Sequence, residues 1–99
     1  MEIENVFCSK LRMKILKVLA KVGELNVSEI AHRLKVNYAA TNGHLKVLEN
    51  EGILLHKMFG RIRLYRINEQ SSRARAVYNL IETWEHPKSD ISSPWENET

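Results

Sequence analysis

The residues of this sequence best suited to chemistry are basic, and they concentrate between residues 57 and 66. This window holds Lys57, Arg61, Arg63 and Arg66 and no acidic residue. Clustered lysine and arginine side chains neutralise phosphate groups and release the counterions that surround a polyanion. The window therefore predicts contact with a nucleic-acid backbone, with a merely solvated charged face as the alternative.

A second group of residues with suitable chemistry lies in the stretch "NYAATNGHLKVLENEG". Its Asn-Gly pair is typical of a hairpin turn, but its apolar residues have helical spacing. As a helix, the stretch turns one face to a core, and the opposite face presents Tyr38, Ala39, Asn42, Gly43 and Lys46. Asn42 has the donor and acceptor that pair with adenine, and Tyr38 can reach a phosphate, a base or a sugar. Gly43 costs a helix about 1 kcal/mol, and either lets the helix approach DNA closely or is a tolerated surface glycine.

Three helices are predicted from the spacing of apolar residues and from their caps. The first, "SKLRMKILKVLAKVG", begins at Ser9 and ends at Gly23. Its apolar stripe is Leu11, Ile15, Val18, Leu19 and Val22. The second, "NVSEIAHRLKV", begins at Asn26, which has the capping-box spacing to Glu29. The third begins at Asn37 after a very short connection, so the second and third helices form a helix-turn-helix.

A β-hairpin and a last helix follow. Two runs of extended-type residues, 53–58 and 61–67, predict a hairpin around Phe59-Gly60. Helical spacing then resumes with Asn68 as the cap and Pro87 as the end, on a stripe of Ala74, Val77, Tyr78, Ile81 and Trp84 with Leu80 at its edge. The order α-α-α-β-β-α predicts a mainly α winged helix-turn-helix domain over residues 1–86. Residues 87–99 are expected to form an acidic, flexible tail, in which Trp95 either anchors the tail on a partner or is an untethered aromatic.

Composition restricts the class of protein further. The 99 residues, 43% hydrophobic and 27% charged, are typical of one globular domain. No apolar run approaches the roughly 18 residues of a membrane span, and the start lacks signal-peptide features, which predicts a cytoplasmic protein. Residues 1–68 carry 12 Lys and Arg against 6 Asp and Glu, whereas residues 69–99 carry 3 against 6. A basic body of this kind suits a polyanionic partner.

The sequence offers little that supports catalysis. It has no GxSxG, phosphate loop, HExxH or paired-carboxylate motif, so we expect neither an enzyme nor a cofactor. Its single cysteine, Cys8, excludes an intrachain disulfide and a CxxC metal site. Cys8 is predicted to be a half-buried thiol, with an intersubunit disulfide or redox switch as the alternative.

The chain resembles the ArsR family of winged-helix repressors and, more loosely, MarR-type regulators. The resemblance rests on "R-x-x-I-L" in the first helix, "EL-x-V-x-x-I/L-A" at the second, "HLKVLE-x-EGI/L" at the third and "GR…YRI" in the hairpin, over about residues 9 to 67. It implies a homodimer built on the first and last helices, with the third helix in the major groove of operator DNA. It also places Asn37, Tyr38 and Asn42 among groove-contacting positions and gives His44 a structural role. The family commonly has Ser at position 42 and a bulkier residue at 43.

Many members of that family sense metals through two cysteines in "ELCVCDL". The corresponding stretch here is "ELNVSEI", with Asn26 and Ser28 in place of the thiolates. Neither residue is a soft ligand. The other type of site lies on the last helix, where Glu82, Glu85 and His86 lack its spacing. We therefore expect no metal.

The sequence thus predicts a homodimeric transcriptional regulator of double-stranded DNA, located at the nucleoid. A recognition helix at about 37–51 enters the major groove, and a basic wing at 56–67 contacts the backbone or minor groove. The predicted DNA contacts are Asn37, Tyr38, Ala39, Asn42, Gly43, Lys46, Lys57, Arg61 and Arg63. The predicted dimer contacts are Val6, Phe7, Val77, Tyr78, Ile81 and Trp84. The alternatives are a sequence-tolerant chromosomal protein and a protein-interaction module on a winged-helix scaffold.

Overall fold

Side-chain caps begin most of the helices in the computed structural model, which describes residues 1–87. In chain order the elements are α1 (Ile3–Phe7), α2 (Lys10–Val22), β1 (Leu25–Asn26), α3 (Val27–Leu34), α4 (Tyr38–Asn50), β2 (Leu54–Phe59), β3 (Ile62–Ile67) and α5 (Ser72–Glu85). Ser9, Asn26 and Asn37 each accept a hydrogen bond from the backbone N–H three residues further on. Asn26 and Glu29 complete the reciprocal capping box. The predicted starts of these three helices are confirmed.

The last helix begins later than predicted. Its N-cap is Ser71, whose side chain accepts a hydrogen bond from the backbone N–H of Ala74. Asn68 instead donates from Nδ2 to the carbonyl of Gly52 at 2.8 Å, and its backbone N–H donates to the carbonyl of Ile53. Asn68 therefore ties the end of β3 to the segment that follows α4.

The sheet has one more strand than the predicted hairpin. The two-residue β1 pairs with β3, which gives an antiparallel sheet of order β1-β3-β2. A strand of two residues is too short to show a period, and α1 is a further short element that the sequence pattern missed. The mainly helical winged helix-turn-helix architecture is otherwise as predicted.

The turn of the hairpin differs by one residue from its predicted position. Phe59 pairs directly with Ile62, so the loop consists of Gly60 and Arg61. Gly60 has a φ of +63°, and a positive φ at only the first loop residue is the geometry of a type II′ turn. Arg61 therefore lies in the turn itself, at the end of a short and stiff ribbon.

The core joins the helix-turn-helix to the sheet. Its fully buried members are Ile15, Leu16, Leu19, Ile30, Leu45, Leu48, Leu54 and Tyr65, together with Thr41. Leu16 is buried although the predicted stripe of α2 left it out, whereas Val22 is 41% exposed. The reason is that α2 packs against α3, α4, α5 and β3, which covers a wider arc than one stripe. Within residues 1–87 no helix is both long and apolar enough to cross a membrane.

Candidate nucleic-acid interface

The stretch that holds Asn42 and Gly43 is helical throughout, which excludes the hairpin interpretation. Leu45, Leu48 and Thr41 are buried against the rest of the core, and Thr41 Oγ1 donates to the carbonyl of Asn37 at 2.9 Å. The opposite side of α4 is exposed, including Tyr38, Ala39, Gly43 and Lys46. A Cβ atom at Gly43 would meet no atom within 4 Å. Nothing in the folded chain therefore requires a glycine at this position.

The hairpin of β2 and β3 faces this exposed side of α4. Between them lies an open groove of about 470 Å³. It is lined by Tyr38, Asn42 and Lys46 of α4, by Met58, Arg61, Ile62 and Arg63 of the hairpin, and by Asn26, Val27 and Ser28 at the start of α3. Three of these lining residues are basic and none is acidic. The structure thus brings together α4 residues and wing arginines that lie far apart in the sequence, in a groove whose charge suits a polyanion.

Arg63 is the best-anchored cation of this groove. Its Nη1 donates to the hydroxyl of the fully buried Tyr65 over a long 3.4 Å, and this hydrogen bond raises the pKa of the Arg63 guanidinium. Its Nε is buried and has no hydrogen-bond partner within residues 1–87. The side chain is therefore tethered to the core through Tyr65 and borders the groove.

Lys57 does not join the groove. It lies directly opposite Leu64, whereas the neighbouring pair in the ladder is Met58 and Arg63. Successive side chains of a strand point to opposite faces, so Lys57 lies on the outer face. There its Nζ is 3.2 Å from Oε2 of Glu24. Lys57, one of the predicted DNA contacts, therefore lies on a different face from Arg63, because the pleat separates residues that are adjacent along the chain.

A side-chain contact links the base of the wing to α4. Nδ1 of His56 on β2 is paired with the carboxylate of Glu49 near the end of α4. The His56 ring also lies 5.6 Å from the ring of Tyr65, at a tilt of 51°. Sequence spacing gave no signal for this contact, which links the start of β2 to the last turn of α4.

The predicted dimer residues divide into buried and exposed ones. Val6 and Ile81 are only 4% and 6% exposed because they pack into the core of their own chain, and Ile81 still borders the apolar depression beside α5. Phe7 and Trp84 are exposed, and they border a shallow apolar depression together with Leu80, which the predicted stripe placed only at its edge. Val77 is half-buried, and the exposed Tyr78 lines a separate groove on the other side of α5.

The positions that carry metal ligands in the resembling family have other contacts here. The Asn26 side chain is engaged in the capping box of α3, and Ser28 borders the groove. On α5, Glu85 pairs with Lys17 at 2.9 Å, and this contact lowers the pKa of the Glu85 carboxyl. Within the part of the chain that the structure describes, no three His, Cys, Asp or Glu side chains are grouped as metal ligands would be. Cys8 is exposed rather than half-buried, and Trp95 lies outside the described residues.

The chain is similar in sequence to known transcriptional regulators. Residues 9–54 match the family described as "Bacterial regulatory protein, arsR family". Over 72 residues the chain is 31% identical to the HTH-type transcriptional regulator B-115 of Sulfolobus spindle-shape virus 1, which covers 73% of this chain and 63% of the relative. Over 59 residues it is 32% identical to a homolog of the cadmium resistance transcriptional regulatory protein CadC from Staphylococcus aureus. This match covers 60% of this chain and 49% of the relative. The chain thus spans between about half and two-thirds of the length of these relatives.

Solved structures share the fold. The antimony-specific transcriptional repressor AntR superposes with a TM-score of 0.69 at 25% identity, over 82% of this chain and 68% of that one. HlyU from Vibrio cholerae superposes with a TM-score of 0.70 at 24% identity, over 81% of this chain and 84% of that one. A homodimeric winged helix-turn-helix DNA-binding domain from Mycobacterium bovis gives 0.67 at 24%, over 85% and 77%. These matches confirm the winged helix-turn-helix fold.

Proposed function

We propose, from the match of residues 9–54 to the family of bacterial arsR regulatory proteins, that this protein is a homodimeric transcriptional regulator that binds double-stranded DNA. Its α4 enters the major groove, and its wing (β2, β3 and their loop) contacts the backbone or the minor groove. One observation carries this proposal. The groove between α4 and the wing is lined by Lys46, Arg61 and Arg63 and by no acidic residue. The nucleoid is the location that follows from this function.

The exposed side of α4 supports major-groove contact. Asn42 and Lys46 are one helical turn apart, and Tyr38 precedes Asn42 by another turn, so the three side chains form a row along the wall of the groove. Asn42 has the bidentate amide that reads adenine. Gly43 and Ala39 present almost no side chain at the outermost part of the helix, which allows the backbone to lie close to base edges. Asn37 caps the helix through Oδ1 and has its amide N–H groups left for a phosphate.

The apolar surface of α1 and α5 supports self-association. Phe7, Leu80 and Trp84 are 39%, 43% and 79% exposed and border one depression. Exposed large apolar side chains that cluster in this way mark interaction sites. The Mycobacterium bovis domain of the same fold is a homodimer. A twofold dimer would present two α4 helices to successive turns of DNA, about 34 Å apart.

We propose that regulation by this protein does not use a metal at the start of α3. The side chains there are the amide of Asn26 and the hydroxyl of Ser28, and neither is a thiolate that would hold a soft metal ion. The relatives named for antimony and cadmium do not transfer that property to this chain. Addition of zinc, cadmium or antimonite should leave the DNA affinity unchanged, whereas a metal-dependent loss of affinity would contradict this part of the proposal.

A salt titration tests the function itself. The protein is titrated with a duplex selected from a random pool and with a shuffled duplex of the same composition, at several salt concentrations. We expect binding to both to weaken linearly in log salt, with the selected duplex bound about a thousandfold more tightly. Equal affinity for the two duplexes would identify a sequence-tolerant chromosomal protein. Absence of salt-sensitive binding to either duplex would favour the protein-interaction module, in which α5 and the acidic tail contact a partner protein.

A further inference from the structure

The tip of the wing is unusually apolar for an exposed turn. Met58, Phe59 and Ile62 are 56%, 69% and 46% exposed, and they adjoin the Gly60-Arg61 loop. Hairpin loops are ordinarily polar, and a cluster of exposed large apolar side chains marks a contact surface. These three side chains do not belong to the hydrophobic core of the described residues, so they are available to a partner.

Phe59 and Ile62 form a single projecting unit. They are directly opposed across the ladder and close the two-residue loop, so both side chains lie on the same face of the ribbon. The type II′ turn, with Gly60 at a φ of +63°, holds this pair at the extreme end of β2 and β3. An aromatic ring and a branched side chain are thus presented together at the tip of a stiff ribbon.

The charge around this unit indicates what it contacts. Arg61 lies in the loop between Phe59 and Ile62 and borders the groove. Phe59 and Ile62 lie on the outer face of the ribbon with Lys57, whose charge is paired with Glu24. Arg63 lies on the opposite face, toward the groove. The segment from 57 to 66 contains no acidic residue. An apolar pair flanked by basic side chains is complementary to duplex DNA, which is a polyanion with a stacked, apolar interior. Strands of six residues extend about 20 Å, long enough to reach the groove next to the one that holds α4.

We propose that the wing tip is a DNA-deforming wedge. Phe59, supported by Ile62, inserts at a base step in the minor groove and partly unstacks it, while Arg61 contacts the adjacent phosphates. This inference rests on the proposed function and adds a mode of recognition to it. Proteins that insert apolar wedges in the minor groove kink the duplex, and pyrimidine–purine steps yield most easily. The wing would therefore select flexible steps without hydrogen bonds to their bases.

The test uses the full chain, a duplex selected from a random pool, and 2-aminopurine placed at successive steps of that duplex. Unstacking raises the fluorescence of this base analogue, and end-to-end energy transfer reports bending. For the parent protein we expect one step under the wing to brighten and the duplex to bend. Phe59→Thr should abolish both signals and weaken binding about tenfold, with an unchanged salt slope because the basic residues still neutralise the same phosphates. Phe59→Leu should retain part of both signals.

Val22→Thr is the matched control, since Val22 is also an exposed apolar residue but lies on α2 away from the groove. It should bind and bend DNA like the parent. Thermal unfolding of each variant verifies that the fold is retained, as expected for a change at a 69% exposed side chain. Unchanged bending and brightening in folded Phe59→Thr would overturn the wedge and leave the proposed function intact. A parent protein that binds no duplex of the pool would overturn the proposed function itself.

Two other occupants of the tip are outcomes of the same experiment. If Phe59→Thr changes the sedimentation of the protein without DNA, the tip contacts a second copy of the chain. If the parent binds vesicles of anionic lipid and Phe59→Thr does not, while DNA bending is unchanged, the tip contacts a membrane surface. Either result overturns the wedge.

Discussion

Arg12 of α2 donates a hydrogen bond from Nε to Nδ1 of His44 in the middle of α4, at 3.1 Å. The same guanidinium donates from Nη1 to the carbonyl of Asn5, in the middle of the short α1. Because Nδ1 of His44 accepts this hydrogen bond, it carries no proton, and the imidazole must be neutral. Burial and the charge of Arg12 both lower the pKa of His44. One side-chain pair thus joins α1, α2 and α4 and depends on the protonation of His44, in agreement with its predicted structural role.

The protonation of His44 should destabilise the fold in mild acid. Because its pKa is lowered in the folded state, the unfolded chain binds this proton at higher pH than the folded one. The free energy of unfolding should therefore fall as the pH drops through 6.5, the ordinary value, and level off below the folded-state pKa. His44→Asn keeps an acceptor near Nδ1 but does not titrate. Urea unfolding above and below pH 6.5 should show a larger loss of stability in the parent than in His44→Asn, and equal losses would contradict the role of this pair.

Arg61 and Lys57 should differ in their effect on the salt dependence of binding. Arg61 lies in the groove, whereas Lys57 lies on the outer face beside Glu24. Arg61→Gln should weaken binding to all sequences equally and reduce the salt slope by about 0.9 for each phosphate that the arginine neutralises in the parent complex. Lys57→Gln removes the same charge and is the matched control, with an expected slope like that of the parent. The placement of the wing would be wrong if the two variants reduced the slope equally.

A methyl group at position 43 should separate stability from DNA binding. Alanine is a better helix former than glycine by about 1 kcal/mol, and its Cβ meets no atom within 4 Å in the folded chain. Gly43→Ala should therefore raise the melting temperature and weaken DNA binding, because the added methyl occupies the space between helix and DNA. A stabilised variant that binds as tightly as the parent would leave Gly43 without a function.

The neighbouring amide should act on specificity instead. If Asn42 reads a base, Asn42→Ala costs about 1–3 kcal/mol on the selected duplex and little on shuffled DNA. Competition between the two duplexes measures this difference directly. An equal loss of affinity for both would mean that Asn42 contacts the backbone rather than a base.

The apolar depression beside α5 should hold the dimer together. Leu80→Ser and Trp84→Ser each remove an exposed apolar side chain from its border, so sedimentation equilibrium at micromolar concentration should show dissociation to monomers. Val22→Ser, at an exposed apolar position on α2, is the control and should remain dimeric. A parent protein that sediments as a monomer would contradict the dimer, and dissociation of the control would show that the effect is not local.

The features that the sequence determined by itself are local ones. Asn26 and Glu29 cap α3, and Asn37 caps α4, because a cap needs only a side chain and the backbone N–H groups within three residues of it. The helical period outweighed the Asn-Gly hairpin signal in α4 because Leu45, Leu48 and Thr41 had to share one buried face. The hairpin followed from the change to extended-type residues after Gly52. Such interactions are made within a few residues, so they can be inferred from spacing.

Tertiary structure alone decided which of these features meet and which are covered. The two residues of β1 became a strand only because β3 lies beside them, and Val6 and Ile81 became core residues only because other elements cover them. The register of the hairpin places Gly60 and Arg61 in the loop and Lys57 on the face opposite Arg63. A shift of one residue reverses the face of every side chain in a strand, and burial depends on residues that are distant in the chain. The groove without acidic residues could therefore be recognised only from the packing of the wing beside α4.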